Sequence, residues 1–361
     1  MTSVSRRMTA EADARRVVIS AIFGTLATQA IGAATRLDLA ERIGDTDAGA
    51  AELAAACGLP AEQLTRLLRT MASLGLCAER ASGRFVLTEA GALLRRDHPA
   101  SLLDFVKLMT HKVFQRNWLN VDDSLRTGLP AFDAEHGQPV YNYMSGRPEL
   151  AALFHAAMSR RTRPPETAEA ISAAYDFSRF GTVTDVGGGD GTLLAALLAR
   201  HPQLSGTVFE TEAGVARARE TIAASGLADR CRAVAGDFFT EVPEGADLYF
   251  IKNVVLNWND EPAVTILRRC RAAMPGHGRL LIVEPVLPDL ANVDTLNHAA
   301  VENPYLTDLH MLVTLGGRER TGAEYTALLA RAGLRVTAIT PLAAEINASL
   351  IDAVPDTDVP V

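Results

Sequence analysis

At residues 184–192 the chain reads Thr184-Asp185-Val186-Gly187-Gly188-Gly189-Asp190-Gly191-Thr192, an apolar strand running straight into clustered glycines. Glycine lacks a Cβ, so such a turn lets a nucleotide-like ligand lie against bare backbone. Strand-like stretches at Val183 to Val186, Gly206 to Glu210, Cys231 to Gly236, Leu248 to Lys252 and Leu280 to Val286 surround it and alternate with helical text. That alternation predicts an α/β fold with an open, mainly parallel sheet, whose ligand crevice lies at the carboxyl ends of the strands.

Three glycines do not name the ligand. No Gly-Lys-Ser/Thr follows, and Thr192 occupies the last position of a G-x-G-x-x-G count, which disfavours ATP and NAD together. Glu210 closes the next apolar strand, where a carboxylate can accept two hydrogen bonds from a ribose diol. Asp237-Phe238 follows the third strand and offers a polar acceptor beside an aromatic face suited to an adenine.

Ahead of this half, Arg16 to Ile43 carries apolar residues at helical spacing with no neighbouring sheet to cover them, as half of a shared dimer core would. Helical text to Cys57-Gly58-Leu59-Pro60, a second helix over Ala61 to Leu76 and a hairpin over Arg80 to Thr88 give a winged-helix pattern. Arg66, Arg69, Arg80 and Arg84 are a sparse basic set in a chain of net charge -8, so the winged helix reads as scaffold and nucleic acid is not expected as a partner. Between Ser101 and Arg163, Phe105, Met109, Phe114, Trp118, Tyr141, Tyr143, Phe154 and Met158 supply surface for a planar ligand, or for a core. The expected organisation is residues 1–100 as a dimerisation domain, 101–164 as a helical pocket segment and 165–361 as the cofactor-binding domain.

With 361 residues, 48% of them hydrophobic, the chain can bury a large core. No apolar run approaches the roughly 18 residues of a membrane span, and no secretory segment follows Met1, so a cytoplasmic protein with no membrane partner is expected. Cys57, Cys77, Cys231 and Cys270 are widely spaced and form no ligand motif, and His298, Glu302 and Asp308 lack a secure metal spacing. No metal is expected.

These motifs together resemble the S-adenosylmethionine-dependent small-molecule O-methyltransferases, the caffeate-type group with bacterial members that decorate polyketides and phenazines. The likeness runs through Tyr175-Asp176-Phe177, Asp185 to Gly191, Gly236-Asp237-Phe238-Phe239, Lys252 with Trp258 and Asp260, and Gly316-Gly317-Arg318-Glu319-Arg320-Thr321. It implies a Rossmann-like class I methyltransferase domain behind an N-terminal, mainly helical winged-helix dimerisation domain, and a homodimer. It also implies S-adenosyl-L-methionine held by Asp185, Gly187, Gly189, Glu210, Asp237, Phe238, Lys252 and Asn253. An aromatic small molecule would meet Phe105, Met109, Trp118, Phe154, Met158, Leu256, Asn257, His298, Asn303, Asp308 and Met311.

Many members of the family carry His-Asp-Trp after the fourth strand, with the histidine as base. This chain reads Leu256-Asn257-Trp258, and leucine takes no proton while Asn257 has no useful basicity. The expected chemistry is therefore methyl transfer to a hydroxyl by proximity and orientation, with Asn257, His298 and Asn303 as the catalytic candidates and His310 as another source of a base. The Leu-Asn pair resembles the anthracycline branch, which includes a hydroxylating relative. Hydroxylation and N-methylation thus stand as alternative outcomes.

Overall fold

The structure, a computed structural model, describes residues 3–162, 164–291, 303–343 and 346–356. The chain divides into two compact units, residues 1–115 with 149–161, and residues 116–148 with 162–361. The helical segment expected at 101–164 is thus distributed over both.

In the first unit a helix over Ser3–Arg36 leads to a small sheet in which β1 (Ala48–Gly49) and β2 (Cys77–Ala81) flank β3 (Arg84–Leu87). Helices Ala50–Cys57 and Ala61–Ser73 lie between β1 and β2. Gly58, at φ 66°, ends the first of them in the left-handed conformation that glycine accepts without penalty. Leu64, Leu68 and Met71 recur at helical spacing and bury one stripe against Leu39, Leu53 and Phe85. This is the winged-helix arrangement. Two of its four arginines are already paired, Arg69 with Glu79 and Arg84 with Asp47, which lowers the charge available to a polyanion.

One expectation needs correction. Residues 12–36 form a helix that is, by length and composition, apolar enough to cross a membrane. The polar residues that interrupt the run in sequence, such as Ser20 and Thr25, do not offset its mean apolarity. Val17, Val18, Ile19, Ile22, Phe23 and Leu26 on this helix are each more than half exposed within the single chain.

The second unit is built on a seven-stranded sheet. Its strands are β4 (Thr182–Val186), β5 (Ser205–Glu210), β6 (Cys231–Ala235), β7 (Leu248–Lys252) and β8 (Arg279–Glu284), joined by β11 (Leu334–Pro341) and β12 (Ser349–Pro355) in the order β11-β12-β8-β7-β4-β5-β6. β4 to β8 pair in parallel, whereas β12 runs antiparallel to both β8 and β11. Strand side chains alternate between faces. Tyr249, Ile251, Leu280 and Ile282 therefore enter one core, while Leu248, Phe250, Leu281 and Val283 enter the other. Strand order reverses between β4 and β7, which opens a crevice at their carboxyl ends.

Sequence reading missed the C-terminal pair β11 and β12. It also ran Leu280 to Val286 as one strand, but β8 stops at Glu284 and β9 (Val286–Leu287) pairs instead with β10 (Arg320–Thr321). Pro285, which has no N–H to give a ladder, marks the break.

Candidate active site

β4 delivers the glycine turn to the crevice. The Gly187 and Gly188 amides donate to Phe209 O at 2.8 and 3.4 Å, and the Gly189 amide donates to Glu210 Oε2 at 3.0 Å. The other Glu210 oxygen accepts the Thr211 amide at 2.8 Å. Asp190 accepts both the amide and hydroxyl of Thr192, at 3.1 and 2.7 Å, and so starts the helix Thr192–Arg200. Two glycines are required for different reasons. A Cβ on Gly187, at φ 74°, would meet Val254 Cγ2 at 2.7 Å, and one on Gly188 would meet Asp185 Oδ2 at the same distance. At Gly189 nothing lies within 4 Å of that position, so the turn presents open backbone.

Asp185 lies beneath the turn and is 3% exposed. Burial, then the neighbouring Glu210 and Asp190 carboxylates, push its pKa up to about 7 against the opposing pull of Lys252. Phe238 approaches the same turn, with its Cε1 3.7 Å from where a Gly187 Cβ would stand, and its ring packs edge-on to Phe239 at 5.0 Å and to Trp258 at 6.4 Å. Asp237 is exposed and accepts the Phe239 amide at 2.9 Å. Tyr141, 37% exposed as a residue, stands 6.2 Å from Trp258, ring to ring; loss of water around its hydroxyl and the nearby Glu210 carboxylate raise the phenol pKa.

Past β7, Asn253 takes the left-handed conformation at φ 54°, and a single 3-10 turn over Val255–Asn257 brings Leu256 and Asn257 to the crevice. The turn hangs on one buried carboxylate. Glu284 Oε1 accepts the amides of Val254, Val255 and Leu256 at 2.9, 2.7 and 3.4 Å, and Oε2 accepts the Tyr325 hydroxyl at 2.6 Å. Burial raises the Glu284 pKa, and these four donors pull it back. Arg320, fully buried, donates to Asp260 Oδ1 at 2.8 Å and to Trp258 O at 3.0 Å. Gly317 presses on the other side of the turn, where a Cβ would lie 2.2 Å from Leu256 O. Sequence reading assigned none of these supports a role. The available signals were a glutamate closing an otherwise apolar strand and the places of Asp260, Gly317 and Arg320 in the quoted motifs.

Leu256 is 7% exposed, and Asn257 Nδ2 donates to Asn253 O at 3.0 Å. Asn303 is exposed and caps the helix Pro304–Thr314, accepting the Tyr305 and Leu306 amides. Asp308 on that helix accepts the Glu319 amide at 2.7 Å, and Met311 is partly buried. Trp118 donates from Nε1 to His310 Nδ1 at 3.2 Å. Phe105, Met109, Phe154 and Met158 are partly buried residues of the first unit. His298 lies outside the described residues.

The crevice suits an adenosyl ligand, since an open glycine cradle, a carboxylate ending β5 and an aromatic ring after β6 lie at adjoining strand ends. Among the described residues no cluster of three histidine, cysteine or acidic side chains could hold a metal, and the four cysteines are free thiols. Burial pushes the Cys231 thiol up to about 11 and Cys270 up to about 12, so neither is a thiolate near neutrality.

Comparison with known proteins gives the same picture. Residues 118–335 match the O-methyltransferase domain and residues 19–97 the O-methyltransferase dimerisation domain. The chain is 43% identical to an O-demethylpuromycin-O-methyltransferase of Streptomyces alboniger, over 96% of this chain and 90% of that protein. It is 37% identical to a phenazine O-methyltransferase of Lysobacter antibioticus, over 94% and 96% of the two chains. Among solved structures, a mitomycin 7-O-methyltransferase superposes with a TM-score of 0.87 at 33% identity, covering 96% of this chain and 99% of that one.

Proposed function

The chain belongs to the S-adenosylmethionine-dependent O-methyltransferases of bacterial secondary metabolism, acting on hydroxyls of aromatic metabolites, and from that premise we propose how its residues divide the work. Asp185, Gly187, Gly189, Glu210, Asp237, Phe238, Lys252 and Asn253 hold the cofactor. Bound S-adenosylmethionine supplies a methyl group already activated on a sulfonium. Gly189 offers it bare backbone, Glu210 keeps free lone pairs for the ribose diol while bracing the turn, and Phe238 gives the adenine an apolar face.

Leu256 carries the mechanism. A buried leucine stands where a proton acceptor would otherwise lie, on a turn that Glu284 and Arg320 fix in place. A turn so held contributes orientation and not basicity, and orientation alone supplies up to roughly 7–11 kcal/mol of a barrier. The acceptor hydroxyl loses its proton to solvent, and the turn holds its oxygen in line with the methyl group that the bound cofactor would supply, the sulfur being the leaving group. Such chemistry favours acidic hydroxyls on fused or conjugated rings. The named relatives support methyl transfer to oxygen, since they are an O-demethylpuromycin O-methyltransferase, a phenazine O-methyltransferase and a mitomycin 7-O-methyltransferase. Catalysis is assigned to residues 165–361. A homodimer through the dimerisation domain covers the apolar face of the long helix.

The test is mass spectrometry of purified protein with methyl-labelled S-adenosylmethionine and a panel of hydroxylated polycyclic aromatics. The expected product carries the label, and with unlabelled cofactor it gains one methyl, about 14 Da. An oxygen-dependent gain of about 16 Da without label would instead assign the scaffold to hydroxylation.

A further inference from the structure

Asn257 ends the turn past β7, where sequence reading set its carboxamide toward the acceptor. The structure employs that group elsewhere. Asn257 Nδ2 lies 3.0 Å from Asn253 O, and a carbonyl only accepts, so the donor end of the carboxamide turns back on its own backbone. The residue it holds is conformationally costly. Asn253 has φ 54°, in the left-handed region disfavoured for a residue with a Cβ, and among the described residues only Asp38 and Asn347 are other non-glycine cases. Its own amide contributes little restraint, standing 3.4 Å from Val283 O. The left-handed residue makes the chain change direction between β7 and Val254. Val254 then lies on the cofactor turn, its Cγ2 2.7 Å from where a Gly187 Cβ would stand. The clamp has a firm base, since the Asn257 amide donates to Val254 O at 3.1 Å and a Cβ on Gly317 would lie 2.7 Å from Asn257 O.

We propose that Asn257 is a positioning residue for the cofactor and not a group that meets the acceptor: its carboxamide holds Asn253 left-handed and, through Val254, keeps the Gly187 side of the glycine turn in shape. The inference rests on the assignment of that turn to S-adenosylmethionine above. It also gives the asparagine a reason. An ionised aspartate, the residue many family members carry here, has no proton to give Asn253 O and could not form the clamp. Two consecutive residues thus serve different ligands, with Leu256 on the acceptor side of the reaction and Asn257 on the cofactor side.

Calorimetric titration of S-adenosylhomocysteine and steady-state kinetics separate the two roles. Asn257→Ala should weaken S-adenosylhomocysteine about 3- to 10-fold, the worth of one hydrogen bond, and Asn257→Asp at least as much. The acceptor KM at saturating S-adenosylmethionine should stay within about twofold of wild type in both. Asn253→Gly supplies a residue that takes positive φ without penalty, so in that background Asn257→Ala should change the same Kd by less than about twofold. A raised acceptor KM with an unmoved cofactor Kd would return Asn257 to the acceptor and overturn the inference, as would equal losses of affinity with and without Asn253→Gly. Denaturant unfolding of the same proteins without cofactor reads the clamp apart from binding. Asn257→Ala should cost less stability when Asn253→Gly is present, and strictly additive losses would refute the clamp. Wild-type protein that binds no S-adenosylhomocysteine would refute the cofactor assignment instead, and the unfolding comparison would still decide the clamp.

Discussion

Asp185 makes the stability of this protein depend on pH in a direction opposite to that of most carboxylates. Its ordinary value of 3.8 rises to about 7 in the fold, chiefly through burial beneath the glycine turn. The folded state thus binds the proton more tightly than the unfolded chain does. Its contribution is fully present below pH 3.8 and is lost as pH rises through about 7. At roughly 1.4 kcal/mol for each tenfold change, the loss comes to about 4 kcal/mol, and a side chain only 3% exposed has little solvent to screen it. Asp185→Asn keeps the shape and removes the titration. Other carboxylates cancel in the difference between variant and wild type, so the assay is thermal or denaturant unfolding of both cofactor-free proteins from pH 5 to pH 8. The variant should gain on the wild type by about 2.7 kcal/mol across that range, because part of the window lies below pH 5, a shift on the order of 5 °C in midpoint. Replacing Lys252 by Met should steepen the wild-type fall, because its ammonium holds the Asp185 pKa down. Parallel curves for wild type and Asp185→Asn would show that the carboxylate pays no such penalty and would refute the reasoning.

Gly187→Ala should weaken cofactor binding more than Gly189→Ala, as read by calorimetric titration. Both positions have positive φ and incur strain of about 1–3 kcal/mol, but only the first drives a methyl to within 2.7 Å of Val254. Tyr325→Phe deletes a 2.6 Å bond to the buried Glu284 and should cost about 1.5–3 kcal/mol in denaturant unfolding, with a fall in kcat as the turn loosens. Leu256→Ala should cost about 2–5 kcal/mol through a cavity, and the pH profile of kcat/KM should keep the same number of ionisations as wild type. Loss of one basic ionisation in that variant would contradict the positioning mechanism.

Much of the fold was legible because its signals are local. Five parallel strands were visible as apolar runs, and the observed strands begin and end within a residue or two of them, apart from the break at Pro285. The wing hairpin was visible through Gly83 and its flanking residues, and the two helices before it through their periodicity. β11 and β12 were missed because β11 is largely exposed and lacks an apolar run, so its place depends on antiparallel pairing with β12 across residues 342–348. The apolar face of the first helix was legible, but not that the helix is long and apolar enough to cross a membrane, because scattered polar residues hide a mean that only the full helix length reveals.

The cofactor crevice followed from sequence since its parts are short motifs at strand ends, each carrying its own backbone requirement. Which groups hold the Leu256 turn did not. Glu284, Tyr325 and Arg320 are far apart in sequence from Val254 to Trp258, and each alone reads as an ordinary residue of its type. Sequence by itself determined the alternation of strands and helices, the glycine turn and the absence of a base at Leu256, because residue type fixes those properties wherever the residue lies. Tertiary structure alone decided the raised pKa of Asp185 and the partner of His310 Nδ1. A pKa depends on the solvent and charges that surround a group, and a hydrogen bond depends on which donor meets the ring; chain folding, not residue identity, sets both.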